Sequence, residues 1–188
     1  IKTGTLQYAA AQRLSDNYPQ IPFPEGWKAN QLGVDLNLQY PAGWLRAREI
    51  KFSQGYTRPG PRDYVGRAPL NQRESIALAD FTQEIDPALV LAYHTQGKVI
   101  YWQFQDYAVP GARALGEEFA RLSGYELSDT PYESSFAGYK DWFIQKFRRP
   151  GYTIEAGSGQ NPLPIEQFPE IYRDNLGILV TAALGLPH

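Results

Sequence analysis

Downstream of Asn71 the apolar positions fall into runs with a clear period, whereas upstream they do not. NQRESIALADFTQEI sets Ile76, Ala79, Phe81 and Ile85 at near-helical spacing, with Asn71 and Glu74 offering a capping box and Asp86-Pro87 a stop. ALVLAYH is a continuous apolar run of the length of a buried strand, and VIYW follows as a second. PGARALGEEFARLSG predicts a helix from Pro110 to Ser123, opened by proline and closed by Gly124. After a polar loop, YELSDTPYESS, the pattern predicts a helix over AGYKDWFIQKF that Pro150 ends. GYTIEAG is then a short strand leading into the glycine-rich GSGQNP, and Pro164 to Leu184 form a closing amphipathic helix. From Ile1 to about Pro69 only brief apolar stretches interrupt a background rich in Pro, Gly, Tyr and Asn. That predicts loop, with one short strand at Gly33 to Leu38. The alternation of strands and helices predicts an α/β fold with helices on both faces of the sheet, and no repeat or linker divides residues 1–188 into more than one domain.

Composition narrows the partners. With 43% hydrophobic residues, the 188-residue chain has material for a core. A net charge of -2 and the lack of a basic block argue against nucleic acid, and no apolar run approaches the about 20 residues of a spanning helix. Zero cysteine removes disulfides and thiolate metal sites. Zero methionine, with Ile1 first, leads us to expect a processed or truncated piece of a longer product.

Ligands of open α/β sheets collect beyond the carboxyl ends of the strands, where this pattern puts His94 and Glu155. Each has a plain structural alternative: a histidine satisfied by its neighbours at a strand end, and a surface-facing strand glutamate. The strand burying Leu89, Val90 and Leu91 can nevertheless hold an imidazole rigidly, and Gly97 frees the backbone to turn away. Together, imidazole and carboxylate point to metal-assisted hydrolysis with glutamate as base. Catalytic zinc normally takes three protein ligands, and His188, at the chain end, is a poor second. There is no H-x-x-E or H-E-x-x-H, no G-x-S-x-G elbow, and GSGQNP has neither the spacing nor the ending of a phosphate loop.

Five motifs in order, GVDLNLQYP, YVGRAPLNQRES, LAYHTQG, TPYESSFAGYKDW and GYTIEAGSGQNPLP, resemble the later motifs of the zinc carboxypeptidase family. NPLPIEQFPEIY, AYHTQGKVIYW and DWFIQKF are similar to one branch, the gamma-D-glutamyl-meso-diaminopimelate peptidases that cut peptidoglycan stem peptides. The resemblance implies a three-layer α/β/α domain, incomplete at its N-terminus, and a zinc cofactor. His94 corresponds to the third zinc ligand and Glu155 to the glutamate that activates zinc-bound water and protonates the leaving amine. Tyr132 matches the mobile tyrosine that closes over substrate, and Asn37 an asparagine that binds a substrate carboxylate; their plain alternatives are an exposed loop aromatic and a turn-forming Asn.

Departures from the family pattern bear on substrate. Leu38 stands where the family has the arginine that clamps a terminal carboxylate, which speaks against ordinary carboxypeptidase action. Lys28 of WKAN replaces the arginine that polarises the scissile carbonyl. Lys140 falls where the family sets side-chain specificity, and a cation there would favour the extra carboxylate of D-glutamate or diaminopimelate; the alternative is one exposed helix lysine among many. The resemblance implies an extracytoplasmic or wall-associated bacterial zinc peptidase that hydrolyses the gamma-D-glutamyl-diaminopimelate amide through a metal-activated water. Its other two zinc ligands are expected in an N-terminal segment that precedes Ile1. The rival readings are a conventional metallocarboxypeptidase and a peptide-binding module without metal.

Overall fold

The computed structural model describes residues 3–185. They form two compact units, residues 3–86 with 132–142, and residues 87–131 with 143–185.

The first unit holds three helices, α1 (Leu6–Ser15), α2 (Trp44–Ser53) and α3 (Arg73–Ile85). Two of them lie in the stretch whose pattern reads as loop. For α1 the drive is local: the Thr5 side chain caps the start by accepting the Tyr8 N–H at 3.2 Å, and alanines follow. Only Ala11 and Ser15 are buried, so no apolar stripe marks the helix. In α2, Trp44, Ala47 and Ile50 turn inward among charged neighbours. The strand expected at Gly33 to Leu38 is instead a 3-10 turn, Leu36–Leu38. Asp35 captures the backbone there, accepting the Asn37 N–H at 3.1 Å and the Asp63 N–H at 3.0 Å, and this side-chain bonding outcompetes an extended ladder.

The α3 helix departs from its pattern in two respects. No capping box forms: Gln72 is the N-cap without a side-chain bond, Glu74 accepts from Asn30 Nδ2 at 3.3 Å, and Asn71 Oδ1 accepts from Gln72 at 2.9 Å. The inward face is Ser75, Ala79 and Thr82, while Ile76, Phe81 and Ile85 are exposed. Thr82 holds that face, bonding Leu78 O at 2.7 Å and the Tyr139 hydroxyl at 2.9 Å. Asp86, in the left-handed region at φ 45, ends the helix at the expected stop.

Asp63 ties α2 to the loop beyond it through Lys51 and Arg62, each at 2.7 Å. Burial by itself would push this carboxyl up, but the two cations outweigh it and hold Asp63 below the usual carboxylate range. A carboxyl depressed on folding contributes stability that is complete above its unfolded pKa and is lost as pH falls through the folded one. Asp63→Asn is therefore expected to lower stability at neutral pH and to flatten its decline below about pH 4, measured by denaturant unfolding across pH; an unchanged acid limb would refute this.

The second unit is a mixed sheet of β1 (Val90–His94), β2 (Val99–Tyr101), β3 (Glu126–Ser128) and β4 (Gly151–Glu155), in the order β1-β4-β2-β3. β1 runs parallel to β4 and β2 to β3, while β2 and β4 are antiparallel. β3, three residues at a sheet edge, is too short to show a period within its polar stretch. The helices α4 (Ala112–Ser123) and α6 (Phe168–Leu184) bury Leu115, Phe119 and Ile178 against Ile100, Tyr152 and Ile154 on one face of the sheet. Gly116 permits the approach of α4, since a Cβ there would lie 2.8 Å from Leu127 Cδ1. The remaining helix, α5 (Tyr139–Phe147), begins among the residues of the first unit and ends among those of the second.

Candidate functional site

β1 and β4 end together, which brings the two residues singled out by sequence side by side. His94 and Glu155 are register partners on adjacent parallel strands, whose backbones run about 4.8 Å apart. Side chains alternate across a strand, so Leu91, Tyr93, Tyr152 and Ile154 share the α4 and α6 face, whereas Ala92, His94, Thr153 and Glu155 point to the opposite one. Both His94 and Glu155 are half-buried.

The loops beyond them are fastened to each other. Ala156 N–H donates to His94 O at 2.8 Å, Gly97 N–H to Gly157 O at 2.9 Å, and Asn161 Nδ2 to Thr95 O at 2.9 Å. GSGQNP is thus a clamp on the turn after His94. Gln167 secures its far side by accepting from Ser158 N–H at 3.2 Å and donating to Ser158 O at 2.8 Å. Gly157 cannot be replaced cheaply, because it sits at φ +75 and a Cβ would fall 2.6 Å from Leu163 Cδ1 and 2.8 Å from Ile171 Cδ1. Gly157→Ala is expected to cost about 1–3 kcal/mol, read as a fall in thermal midpoint; a midpoint equal to the parent's would contradict it.

Tyr101 joins this face and was not singled out by the sequence. On β2 it pairs with Thr153, two residues along from the Val99–Glu155 pair and so on the same face. Burial, then the negative charges of Glu155 and Glu126, push its phenol up. A three-residue strand reveals nothing about its neighbour, so only the register exposes Tyr101.

The other candidates belong to the first unit. Tyr132 opens a short 3-10 turn, is 57% exposed, and accepts a hydrogen bond from Arg46 Nε at 3.3 Å while its ring meets Phe136 edge-on at 5.2 Å. Asn37 is exposed, and the turn-forming role belongs to Asp35 rather than to Asn37. A Cβ built on Gly138 would stand 4.0 Å from Asn37 Oδ1, so Asn37 lies beside the turn that leads into α5. Leu38 is buried in the core. Lys28 is exposed and is held through its backbone N–H to Pro61 O at 2.8 Å. Lys140 is not the exposed lysine of the plain alternative: it is 5% exposed, with its ammonium 2.7 Å from Asp141 Oδ1.

Among the described residues no group of three or more His, Cys, Asp or Glu side chains is gathered for a metal. His188 lies outside the described residues. One imidazole beside one carboxylate does not fit the three protein ligands of catalytic zinc. No described helix is long and apolar enough to cross a membrane.

The zinc carboxypeptidase family profile matches residues 13–177. The chain is 55% identical over 157 residues to the "Gamma-D-glutamyl-L-diamino acid endopeptidase 1" of Lysinibacillus sphaericus, covering 82% of this chain and 38% of that protein. It is 43% identical over 168 residues to the "Uncharacterized protein YqgT" of Bacillus subtilis (strain 168), covering 89% of this chain and 43% of that protein. It therefore spans less than half the length of these curated relatives. Murein-tripeptide amidase MpaA from Escherichia coli O157 shares the fold at a TM-score of 0.55 and 22% identity, over 81% of this chain and 59% of that one. Bovine thrombin-activatable fibrinolysis inhibitor does so at 0.59 and 14% identity, over 80% and 56%.

Proposed function

Because the chain belongs to the zinc carboxypeptidase family, we propose that it is the C-terminal portion of a peptidase catalytic domain acting on peptidoglycan stem peptides outside the cytoplasm, at the gamma-D-glutamyl-diaminopimelate amide. The observation that carries this reading is the pairing of His94 with Glu155 at the ends of β1 and β4. The name of the 55%-identical relative supports the substrate class. Buried Leu38, where a carboxypeptidase needs its arginine clamp, weighs against release of a C-terminal residue.

In this reading His94 is one zinc ligand, and a segment outside the chain supplies the other two. Bound zinc would contribute Lewis-acid polarisation. Glu155 takes the proton of the attacking water and returns it to the leaving amine, a role suited to a half-buried carboxylate. The resemblance gives Tyr132, Asn37 and Lys28 roles toward substrate, whereas Lys140, 5% exposed with its ammonium 2.7 Å from Asp141 Oδ1, has its charge taken up within the protein.

Mass spectrometry of a muropeptide digested by the zinc-loaded protein, upstream segment included, tests this. A cut after D-glutamate is expected. Release of the C-terminal residue would favour the conventional carboxypeptidase, and failure to bind zinc at micromolar concentration would favour a peptide-binding module.

A further inference from the structure

Arg46, in the first turn of α2, is a cation that the fold sets against Tyr132 without using up its donors. Its Nε–H donates to the Tyr132 hydroxyl at 3.3 Å and its Nη1 to Glu49 Oε2 at 2.8 Å, while the guanidinium carbon lies 5.7 Å from the centre of the Tyr132 ring. A guanidinium carries five N–H donors. Neither donor on Nη2 is taken by a described residue. Other cations of the same unit are spent internally: Lys51 and Arg62 share Asp63, and Lys140 is closed on Asp141.

The contact between Arg46 and Tyr132 is held from both ends of α2. Gly43, the N-cap at φ 67, leaves room for Phe136, since a Cβ there would stand 2.6 Å from Phe136 Cδ1. Ala137 N–H donates to Ala42 O at 2.7 Å beside it, and the Phe136 ring supports that of Tyr132 edge-on. At the other end of the helix, Gln54 Nε2 donates to Glu133 Oε2 at 3.3 Å. The pair with Glu49 is looser in kind, because the two side chains are 48% and 64% exposed. An ion pair so open to water is easily exchanged for another carboxylate.

We propose that Arg46 is a specificity residue which, together with Tyr132, takes a substrate carboxylate lying outside the scissile bond. Its two oxygens accept from an Nη2–H of Arg46 and from the Tyr132 hydroxyl. Nε and Nη2 form one edge of the guanidinium fork, so a group accepting from Nη2 on that edge meets the phenol that Nε already holds. D-Glutamate and diaminopimelate each offer such a carboxylate. The inference rests on the proposed function for the role of Tyr132. It supplies the positive charge that Leu38 does not carry and that Lys140 keeps for Asp141.

The test measures Kd by calorimetry on the zinc-loaded protein, upstream segment included, with Glu155→Gln in every sample to slow turnover. Three peptides are compared: the gamma-D-glutamyl-diaminopimelate peptide, its analogue amidated at the D-glutamate α-carboxylate, and its analogue with lysine in place of diaminopimelate. Arg46→Ala is expected to weaken the first by at least about tenfold and to leave one analogue unchanged; the analogue that ignores Arg46 identifies the carboxylate. Glu49→Gln, which releases the guanidinium without touching the Tyr132 turn, should tighten the first peptide by about two- to fivefold. Equal weakening of all three peptides by Arg46→Ala would make Arg46 a support of the turn and overturn the proposal. So would an unchanged Kd in Arg46→Ala, or no tightening in Glu49→Gln. Either result leaves the proposed function standing. Selective binding of the acidic peptide that the Glu155-containing protein never cuts would sink the proposed function and leave the carboxylate site in place, whereas a parent that binds none of the three peptides would remove both.

Discussion

Glu155→Gln is expected to lower kcat/KM on a gamma-D-glutamyl-diaminopimelate peptide by about 10²–10⁴-fold, the usual contribution of a positioned general base, with little change in melting temperature. The substitution keeps size and hydrogen-bonding shape, and the β4 backbone that pairs with β1 and β2 is untouched. What is lost is the ability to hold a proton and release it. A carboxamide cannot take one from water, so the loss should lie in kcat rather than in zinc affinity or KM. Retention of more than about a tenth of parental activity would remove Glu155 from the role of base. A fall in zinc affinity equal to that of His94→Ala would recast it as a ligand.

The half of the fold that carries this pair was legible because its strands are buried or short of polar interruption. ALVLAYH and GYTIEAG stand out as apolar runs, and their ends place His94 and Glu155 directly. Their adjacency was not legible, since it depends on a parallel register between segments 61 residues apart in number, Val90 against Gly151. Tyr101 was hidden for the same reason. The first unit is held by other means. α1 rests on a Thr5 cap and alanine propensity, α2 on three inward residues among charges, and the Leu36–Leu38 turn on Asp35. None of these leaves a hydrophobic period. In α3 the period was present and misleading: the larger side chains Ile76, Phe81 and Ile85 are exposed and the small Ser75, Ala79 and Thr82 are inside. Exposed apolar residues in a regular pattern mark a face, and the pattern does not say whether this chain or another covers it.

Lys140 is where a sequence reading and a burial collide. As a specificity residue it was expected to meet an acidic substrate group, and its alternative was an idle surface lysine. Instead both members of the Lys140–Asp141 pair are withdrawn from solvent, with side chains 5% and 4% exposed. Asp141 also accepts the Gly138 N–H at 3.2 Å, fastening the turn that leads into α5. Breaking such a pair from one side leaves a buried charge with poor compensation, which costs about 3–5 kcal/mol. Lys140→Met is therefore expected to lower the denaturation midpoint sharply, and Lys140→Met combined with Asp141→Leu to recover most of the loss, because removing both charges removes the desolvation as well. A surface lysine predicts no change in either variant. If the ammonium also serves the substrate, the stabilised double variant will discriminate less between a diaminopimelate peptide and its neutral analogue than the parent does. Equal rates of loss on the two substrates would assign Lys140 to the architecture of the α5 turn alone.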